Sequence, residues 1–462
     1  MALPPLVSFI IPFLNSSRTL IAALESVVAQ TYAGALEVSA FDDGSTDGSA
    51  DVVTEWAAAP RARRVPVILS SGAAAGATGP RGPGWARNRA VAASRGEYLC
   101  FLDADDEALP QRVELQLAAA RAAPSALIGG RFIRDPPDAT PRYAQWANAM
   151  TPCELETHAW RECTLLQPTW FMARAQFEAL GGYDEAPPLF HGGSAVLQSG
   201  HFEASSRLGP SSGGAAGEMC EDEASASSAR RRHPPLVSRP PLKLLPSGLS
   251  SPTPFATFPE DTIFFHRHLE AAAKSGTATP LVRVDAPVIL YRYSPSSLSW
   301  RVPRSTLNAT RALLFEERIL APRGGDGGPG LKDVAIWGAG RDGKEFFNAL
   351  SPAGKERITH FLDVDPRKVG NFYPVPISDK KLKRRRAEDG ASPPTADAPP
   401  RCVSLPIHHF SSVGSTTRAM IICVALDTGG EELRSNVGAA VAAIRAAGGP
   451  SLVEGESLFY MC

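Results

Sequence analysis

Short apolar runs alternate with amphipathic stretches from the start of the chain. Residues 6–12, 38–41, 65–69 and 98–102 are predicted strands, and apolar residues recur at helical spacing over 20–28. The order strand, helix, strand indicates an α/β fold with a mostly parallel sheet and helices on its faces. Ligands of such a sheet bind at the carboxyl ends of its strands, so polar residues at those ends are candidate site residues.

Two segments interrupt this alternation. Residues 187–258 are rich in Ser, Gly, Ala and Pro, and we predict a disordered insertion there. Residues 380–401 open with Lys-Lys-Leu-Lys-Arg-Arg-Arg, a run that is open to three interpretations: a nuclear signal, an RNA-binding tail or a solvated loop. The pattern therefore predicts one α/β domain over 1–186 and 259–325 and a smaller one over 332–462.

Composition narrows the functional classes. The 462 residues carry a net charge of -1, which gives no global electrostatic case for nucleic-acid binding, so any RNA contact would come from local basic patches. The seven cysteines include no Cys-X-X-Cys pair and are expected to be reduced. No apolar run approaches the roughly 20 residues needed to cross a bilayer, and the N-terminus lacks a basic signal-peptide region. We expect a cytoplasmic protein without membrane contact.

The apolar run over 97–102 ends in Asp103, Asp105 and Asp106, with Ala104 between the first two acids. Carboxylates two apart at a strand end can share one hard divalent cation. A cation in that position can neutralise the pyrophosphate of a nucleotide-sugar as its glycosidic bond breaks, the use that glycosyltransferases make of an Asp-X-Asp motif. The alternative is a solvated acidic loop.

Two other predicted strands end in polar groups. Pro12 and Asn15 follow the first, and Asp42, Asp43 and Gly44 follow the second. An acid at this edge can accept a hydrogen bond from a uracil imide or a ribose hydroxyl, and Gly44 permits a close turn. An Asp-Gly turn without any ligand is the alternative interpretation.

Two helix starts carry further candidates. Arg87 and Asn88 lie in the first turn of a predicted helix that begins near Gly84, a position that suits an anionic or sugar-bearing ligand; Arg87 is otherwise a surface residue. Glu260 and Asp261 begin an apolar helical stretch. A carboxylate there can act as the general base that takes the proton of an acceptor hydroxyl, or it can merely complement the helix dipole.

Taken in order, the motifs Asp42-Asp43-Gly44-Ser45, Ala86-Arg87-Asn88, Asp103-Ala104-Asp105-Asp106 and Glu260-Asp261 resemble those of glycosyltransferase family 2, and the resemblance covers residues 6–297. It implies a GT-A fold, inversion at the anomeric carbon and a divalent metal, Mn²⁺ or Mg²⁺. It also implies metal and donor binding by Asp103 and Asp105, nucleoside binding by Asp42 and Asp43, and a catalytic base at Asp261 beside Glu260. The implied nucleotide-sugar site is completed by Pro12, Asn15, Arg87, Asn88 and Ala104.

Further stretches, at 98–103, 110–113, 134–137, 168–171 and 290–293, resemble a branch of this family that modifies tRNA. That resemblance implies UDP-galactose as the donor. The implied acceptor is a hydroxyl of the cyclopentenediol of queuosine in a tRNA anticodon. Exposed aromatic and Arg planes are what proteins use to read single-stranded bases. The candidates for contacts with an anticodon loop are Arg142, Tyr143, Trp146, Trp160, Arg161, Trp170 and Arg292, of which we expect at most about a third to touch RNA, since most aromatic residues are core.

One position departs from the family pattern. Members often carry a His shortly after the equivalent of Tyr291-Arg292-Tyr293, where this chain has Ser294. Serine is a poor substitute for imidazole at a divalent metal. Two other interpretations stay open: a family 2 transferase that acts on a glycan or protein, and a catalytically silent tRNA-binding protein.

The C-terminal region has its own glycine motif. A strand-like run over 334–337 leads into Gly338, Gly340 and Gly343, which have the spacing of a dinucleotide-binding loop, and Asp363 ends a second predicted strand. We predict a Rossmann-like accessory domain that packs on the catalytic domain or helps to hold tRNA. A bound nucleotide is the alternative.

Overall fold

The computed structural model describes residues 3–60, 64–185, 258–294, 302–321, 330–376, 402–424 and 426–461. The insertion predicted at 380–401, and all but the last residue of the one predicted at 187–258, lie outside these residues.

Strands and helices alternate through most of the described chain. The strands are β1 (Val7–Phe13), β2 (Leu36–Asp42), β3 (Val67–Ser71), β4 (Tyr98–Phe101), β5 (Glu107–Ala108), β6 (Leu127–Asp135), β7 (Phe171–Ala173), β8 (Leu281–Arg292), β9 (Val334–Trp337), β10 (Ile358–Asp363), β11 (Phe372–Pro376), β12 (Cys402–His409), β13 (Ala419–Ile422) and β14 (Leu458–Tyr460). The α-helices are α1 (Leu20–Val28), α2 (Ser49–Ala58), α3 (Pro83–Ala93), α4 (Arg112–Ala122), α5 (Pro141–Ala149), α6 (Pro152–Thr157), α7 (Arg174–Ala179), α8 (Glu260–Ser275), α9 (Arg304–Phe315), α10 (Arg341–Ala349), α11 (Pro352–Lys355) and α12 (Leu426–Ala446).

The first sheet has eight strands in the order β3-β2-β1-β4-β7-β6-β8-β5. All of them run in one direction except β7 and β5, which pair antiparallel with their neighbours. The predicted α/β class with a mostly parallel central sheet is therefore confirmed.

Burial explains why the first strands form the centre of this sheet. Every residue of β1 and β2 is buried, as expected of parallel strands that helices cover on both faces. Helix α1 buries Leu20, Ala23, Leu24 and Val27, which are spaced three or four apart and form one face. Since β1, β2 and β4 are parallel neighbours, their carboxyl ends meet at one edge, where the predicted site residues follow them.

The second sheet has six strands in the order β11-β12-β10-β9-β13-β14. Its five parallel strands run third, second, first, fourth and fifth in chain order, which is the order of a Rossmann-like sheet, and β11 adds antiparallel at the edge beside β12. Two apolar clusters of buried residues cover its faces.

Helix α9 connects the two sheets. Its buried residues Ala312, Leu314 and Phe315 belong to the core of the second sheet. The domain boundaries remain predictions, and α9 packs with the second core although it precedes the boundary predicted at 325. Within the described ranges, no helix combines the length and the apolar character needed to cross a membrane.

Candidate active site

Three carboxylates converge directly after β4. Ligand atoms of Asp103, Asp105 and Asp106 all lie within 4.8 Å of one another. Asp103 and Asp105 are partly exposed, whereas Asp106 is fully buried. Oxygen ligands at this spacing suit a hard divalent cation such as Mg²⁺ or Mn²⁺.

The electrostatics of this cluster favour a cation. Burial, followed by the charge of Asp103, raises the pKa of Asp105 to about 6. Burial, followed by the charge of Asp105, raises the pKa of Asp106 well above its ordinary range. Oδ2 of Asp106 is buried and has no hydrogen-bond partner among the described residues. A divalent ion would offset the mutual repulsion, so the residues present fit the implied metal.

Strand β8 holds the acidic loop in place. The Arg292 backbone N–H donates to Oδ1 of Asp106 at 2.9 Å, and its guanidinium donates to the Asp105 carbonyl at 3.1 Å and pairs with Glu107. Asp106 had no predicted role although it follows the predicted ligands Asp103 and Asp105, and no sequence signal linked Arg292 to these acids. The position of Asp106 directly after Asp105 could have identified it from the sequence. The Arg292 contact could not be predicted, because it results from the pairing of β5 with β8.

The loop after β2 lies at the same edge. Oδ1 of Asp42 accepts hydrogen bonds from the N–H groups of Gly44 and Ser45 at 3.2 and 2.8 Å. Asp42 also lines a pocket together with Ser71, Gly72 and Thr78. Gly44 has φ +95°, a conformation that glycine adopts without strain. Binding of a nucleoside beside Asp42 stays a prediction.

Asp43 and Asn15 are engaged by neighbouring loops. The carboxylate of Asp43 accepts from the N–H groups of Arg81 and Gly82 at 2.7–3.0 Å, and burial raises its pKa. Oδ1 of Asn15 accepts from the Thr46 N–H at 2.9 Å. Pro12 is buried within β1. In this structure, Asp43 and Asn15 shape the pocket by holding its loops.

Arg87 connects the acidic cluster after β4 with the start of α8. Its guanidinium donates to Asp103 at 2.8 Å and to Glu260 at 2.9 Å, and only 6% of the residue is exposed. The alternative that Arg87 is a surface residue is therefore wrong. Asn88 faces another way, since its amide exchanges hydrogen bonds with the backbone of Tyr183 and donates to Glu185.

Glu260 and Asp261 begin α8 as predicted. Burial, followed by the charge of Asp261, raises the pKa of Glu260 to about 7, while Arg87 opposes the shift. Burial also raises the pKa of Asp261. Both hydrogen bonds that Asp261 makes with described residues use Oδ1, which accepts from the N–H of Thr262 at 2.7 Å and from its hydroxyl at 3.4 Å.

Two residues near Asp261 were not anticipated. The thiol of Cys163 is buried and donates to the Thr262 hydroxyl at 3.7 Å. Glu162, beside it, interacts electrostatically with Asp261 and with Arg311 on α9. No motif in the sequence pointed to this loop, because it meets α8 only through the tertiary fold.

Some of the predicted RNA-contact residues are buried and others are exposed. Trp160 and Trp170 are 5% and 0% exposed, so the prediction that they stack on bases is wrong: they are core residues. Arg142 is exposed, and Tyr143, Trp146, Arg161 and Arg292 are partly exposed. Arg161 lies over the Trp146 ring, 4.7 Å from its centroid.

In the second sheet, the acid and the helix start beside the glycine loop make hydrogen bonds and ion pairs with other residues of the protein. Asp363 accepts from the Ala339 N–H at 2.8 Å and pairs with Lys368 at 3.0 Å. At the start of α10, Asp342 pairs with Arg304 at 2.8 Å. The acid and the helix start that would contact a nucleotide are thus engaged internally.

The N-terminal part of the chain is similar to known glycosyltransferases. Residues 8–180 match the family model "Glycosyl transferase family 2". An uncharacterized glycosyltransferase of Nostoc, alr2836, is 36% identical over 23% of this chain and 30% of its own length. The Escherichia coli protein WfgD, named as a UDP-Glc:alpha-D-GlcNAc-diphosphoundecaprenol beta-1,3-glucosyltransferase, is 34% identical over 24% of this chain and 40% of its own length.

The chain thus spans well under half the length of these two relatives. Among solved structures, S. aureus TarS 1–349 with UDP-GlcNAc is 14% identical, with a TM-score of 0.41 over 67% of this chain and 66% of that one. The family match covers β1 to α7, the segment that carries the three strand ends and Arg87. Over residues 8–180, the chain is therefore similar to glycosyl transferase family 2.

Proposed function

We propose that the protein is an inverting glycosyltransferase that uses a nucleotide-sugar donor. The observation that carries the proposal is the chain of contacts from Asp103 through Arg87 to Glu260, which directly precedes Asp261. It joins a cation-binding cluster at a strand end to candidate base carboxylates at a helix start, next to a pocket lined by Asp42. Sugar transfer requires the metal-bound donor and the acceptor hydroxyl to lie next to each other, and this part of the site would bring them together.

Asp103 and Asp105 would hold a divalent metal, Mn²⁺ or Mg²⁺, with Asp106 behind them. When bound, the ion supplies positive charge that stabilises the departing nucleoside diphosphate. The loops held by Asp43 and Asn15 would seat the nucleoside beside Asp42, with the backbone of Pro12 and Ala104 at the floor of the site. Arg87 would keep Asp103 oriented toward the donor.

Asp261 is the proposed base. The acceptor oxygen attacks the anomeric carbon as the bond from that carbon to the diphosphate oxygen breaks. The proton of the acceptor hydroxyl moves to the Asp261 carboxylate. Attack opposite the leaving group inverts the configuration. Glu260 is held by Arg87, whereas Asp261 makes its hydrogen bonds through Oδ1, so Oδ2 of Asp261 suits proton transfer better.

The proposed donor is UDP-galactose, and the proposed acceptor is queuosine in a tRNA anticodon. The support is the resemblance to queuosine-tRNA galactosyltransferase in the stretches at 98–103, 134–137, 168–171 and 290–293. A UDP-sugar donor also agrees with the name of the relative WfgD, a UDP-Glc-dependent glucosyltransferase. Arg142, Trp146 and Arg161 remain candidates for contacts with the anticodon loop. We propose that the reaction takes place in the cytoplasm.

Two other functions remain in competition. A glycan or protein acceptor agrees equally well with the family match. The argument for a catalytically silent tRNA-binding protein is Ser294, which occupies a position where family members often carry a His. The intact cluster of Asp103, Asp105 and Asp106 favours an active transferase.

The test is transfer of labelled galactose from UDP-galactose to purified tRNA with and without queuosine. We expect the wild-type protein to label only queuosine-containing tRNA. Asp261→Asn should lower the rate by a factor of about 10²–10⁴ with UDP binding intact, the usual contribution of a general base. Asp285→Asn is the matched control, because its side chain is 80% exposed and pairs only with Arg131 among the described residues.

The outcomes separate the candidates. Transfer to a simple sugar acceptor but to no tRNA would favour the glycan function. Donor binding without transfer or hydrolysis would favour the silent protein. Wild-type transfer that Asp261→Asn leaves unchanged would remove Asp261 as the base while keeping the enzyme.

A further inference from the structure

The loop that follows α6 is held by the second α/β core. The side chain of Trp160 belongs to that core, with its ring centroid 5.1 Å from that of Phe315 and 6.5 Å from that of Phe459. On the other side, Trp160 contacts His266 of α8, with ring centroids 4.4 Å apart. Arg318 donates toward Nδ1 of His266 at 2.6 Å. The C-terminal region thus packs against the helix that begins with Glu260 and Asp261.

Arg311 of α9 joins three segments at this junction. Its guanidinium donates to the carbonyl of Arg161 and, at 3.2 Å, to the carbonyl of Met461, next to the C-terminal residue. It also lies 3.7 Å from the carboxylate of Glu162. Only 12% of the Arg311 side chain is exposed, so these contacts replace most of its hydration.

The segment that Arg311 holds is the one that packs on the proposed base. Glu162 and Cys163 follow Arg161, and the thiol of Cys163 donates to the hydroxyl of Thr262, which itself bonds Asp261. A shift of the loop would therefore move Thr262 and change the orientation of Asp261. It would also leave the negative charge of Glu162 beside Asp261 without the opposing charge of Arg311.

We propose that Arg311 is a positioning residue for the transfer reaction: by tying the C-terminal region to residues 161–163, it fixes the orientation of Asp261. The inference rests on the proposed function and adds a role for the C-terminal domain in catalysis. Arg311 itself does not reach the reacting atoms. Its effect on the rate comes from geometry, since a displacement of about 1 Å at a reacting group can cost two orders of magnitude.

The test compares two variants of Arg311 with one control in the full-length protein. Arg311→Met removes the charge and the donors but keeps an unbranched apolar side chain. Arg311→Lys keeps the charge and can still donate to one or two carbonyls. Arg304→Met is the control: Arg304 lies on the same helix and pairs with Asp342, and among the described residues it makes no hydrogen bond or ion pair with 161–163.

Three quantities are measured: kcat and KM for galactose transfer, and the alkylation rate of Cys163 relative to exposed Cys153 by peptide mass spectrometry. For Arg311→Met we expect kcat to fall roughly tenfold or more while KM for UDP-galactose changes less than about twofold. Cys163 should be alkylated at least about fivefold faster, because local opening exposes it. Arg311→Lys should recover much of both losses, and Arg304→Met should resemble the wild type.

Three results would overturn the inference. Wild-type kcat in Arg311→Met would show that the contacts do not position the base. Equal losses in Arg311→Met and Arg311→Lys, with a raised KM for the donor, would indicate a general structural role. A wild-type protein without transfer or hydrolysis of any nucleotide-sugar would instead remove the proposed function, and the positioning role with it. Failure of the inference alone leaves the wild type active, so the two failures are distinguishable.

Discussion

Arg87 is the residue through which the two groups of carboxylates influence each other. It is buried, and it bonds Asp103 on one side and Glu260 on the other. A metal at the acids would compete with Arg87 for Asp103, which would strengthen the pairing of Arg87 with Glu260. The charge at the proposed base would therefore be linked to occupancy of the proposed donor site.

A pH profile tests this link. Burial and the charge of Asp261 hold the pKa of Glu260 at about 7, so the two carboxyls are both deprotonated only near that pH. Glu260→Gln leaves Asp261 as the one titrating carboxyl of the two, while Arg87 keeps its bond with Asp103. Because the base must be deprotonated, the acid limb of kcat/KM should move to lower pH by roughly one unit at saturating Mn²⁺.

The control is Glu185→Gln, since Glu185 bonds Asn88 and Arg89 rather than the carboxylates at α8. An acid limb at the same pH in both variants and the wild type would mean that Glu260 and Asp261 are not electrostatically linked.

The sequence predicted which residues are polar at the strand ends, but not which of them are used by the protein itself. Asp43 and Asn88 carry the residue types of a ligand site, and their hydrogen bonds go to neighbouring backbone groups. A motif fixes residue types and spacing. It does not show which side-chain oxygens accept hydrogen bonds from the protein itself, because these bonds depend on loops such as 79–82, which have no periodic sequence pattern.

At the level of elements, α3 and α8 form the site by close approach of their first turns. A Cβ added to Gly84 of α3 would lie 2.8 Å from Cγ of Glu260 and 3.1 Å from the carbonyl oxygen of Asp184. Glycine is therefore what allows the two helix starts to meet. The sequence predicted both helix starts, but their contact joins residues separated by a long insertion and follows from no local signal.

Gly84→Ala should displace Glu260 and weaken its pairing with Arg87. We expect a lower kcat for transfer and a loss of about 1–3 kcal/mol in the free energy of unfolding, the usual cost of overpacking. Both are measured with the purified variant, by kinetics and by urea unfolding. Gly438→Ala on α12 is the control, because its Cβ would meet nothing within 4 Å. A fully active and equally stable Gly84→Ala protein would show that the helix starts can separate without consequence.

For the whole molecule, the alternation of apolar runs predicted two α/β sheets, and both exist. Their connection was not predictable. Trp160 was a candidate for RNA stacking because exposed aromatic planes read single-stranded bases, yet its ring completes the core of the second sheet. Packing between distant parts of the chain decided this, and no pattern within a window of sequence carries that information.

If Trp160 joins the two α/β parts, its removal should destabilise strands that are distant from it in the sequence. Trp160→Ala should destabilise the second core by about 3–5 kcal/mol, the cost of truncating a buried Trp. We expect faster hydrogen exchange in β9 and β13, although Trp160 lies in the segment before β7. Trp56→Ala is the matched control: Trp56 is 3% exposed and belongs to the first core only.

In the control, exchange should accelerate around α1 and α2, which pack together through Trp56 and Glu25, and not in β9 or β13. Unchanged exchange in β9 and β13 of Trp160→Ala would mean that the second core is stable by itself and that the contact is incidental. Faster exchange there, with slower galactose transfer, would instead connect the two halves of the molecule physically: the same side chain that completes the C-terminal core also contacts His266, on the helix whose first turn carries Asp261.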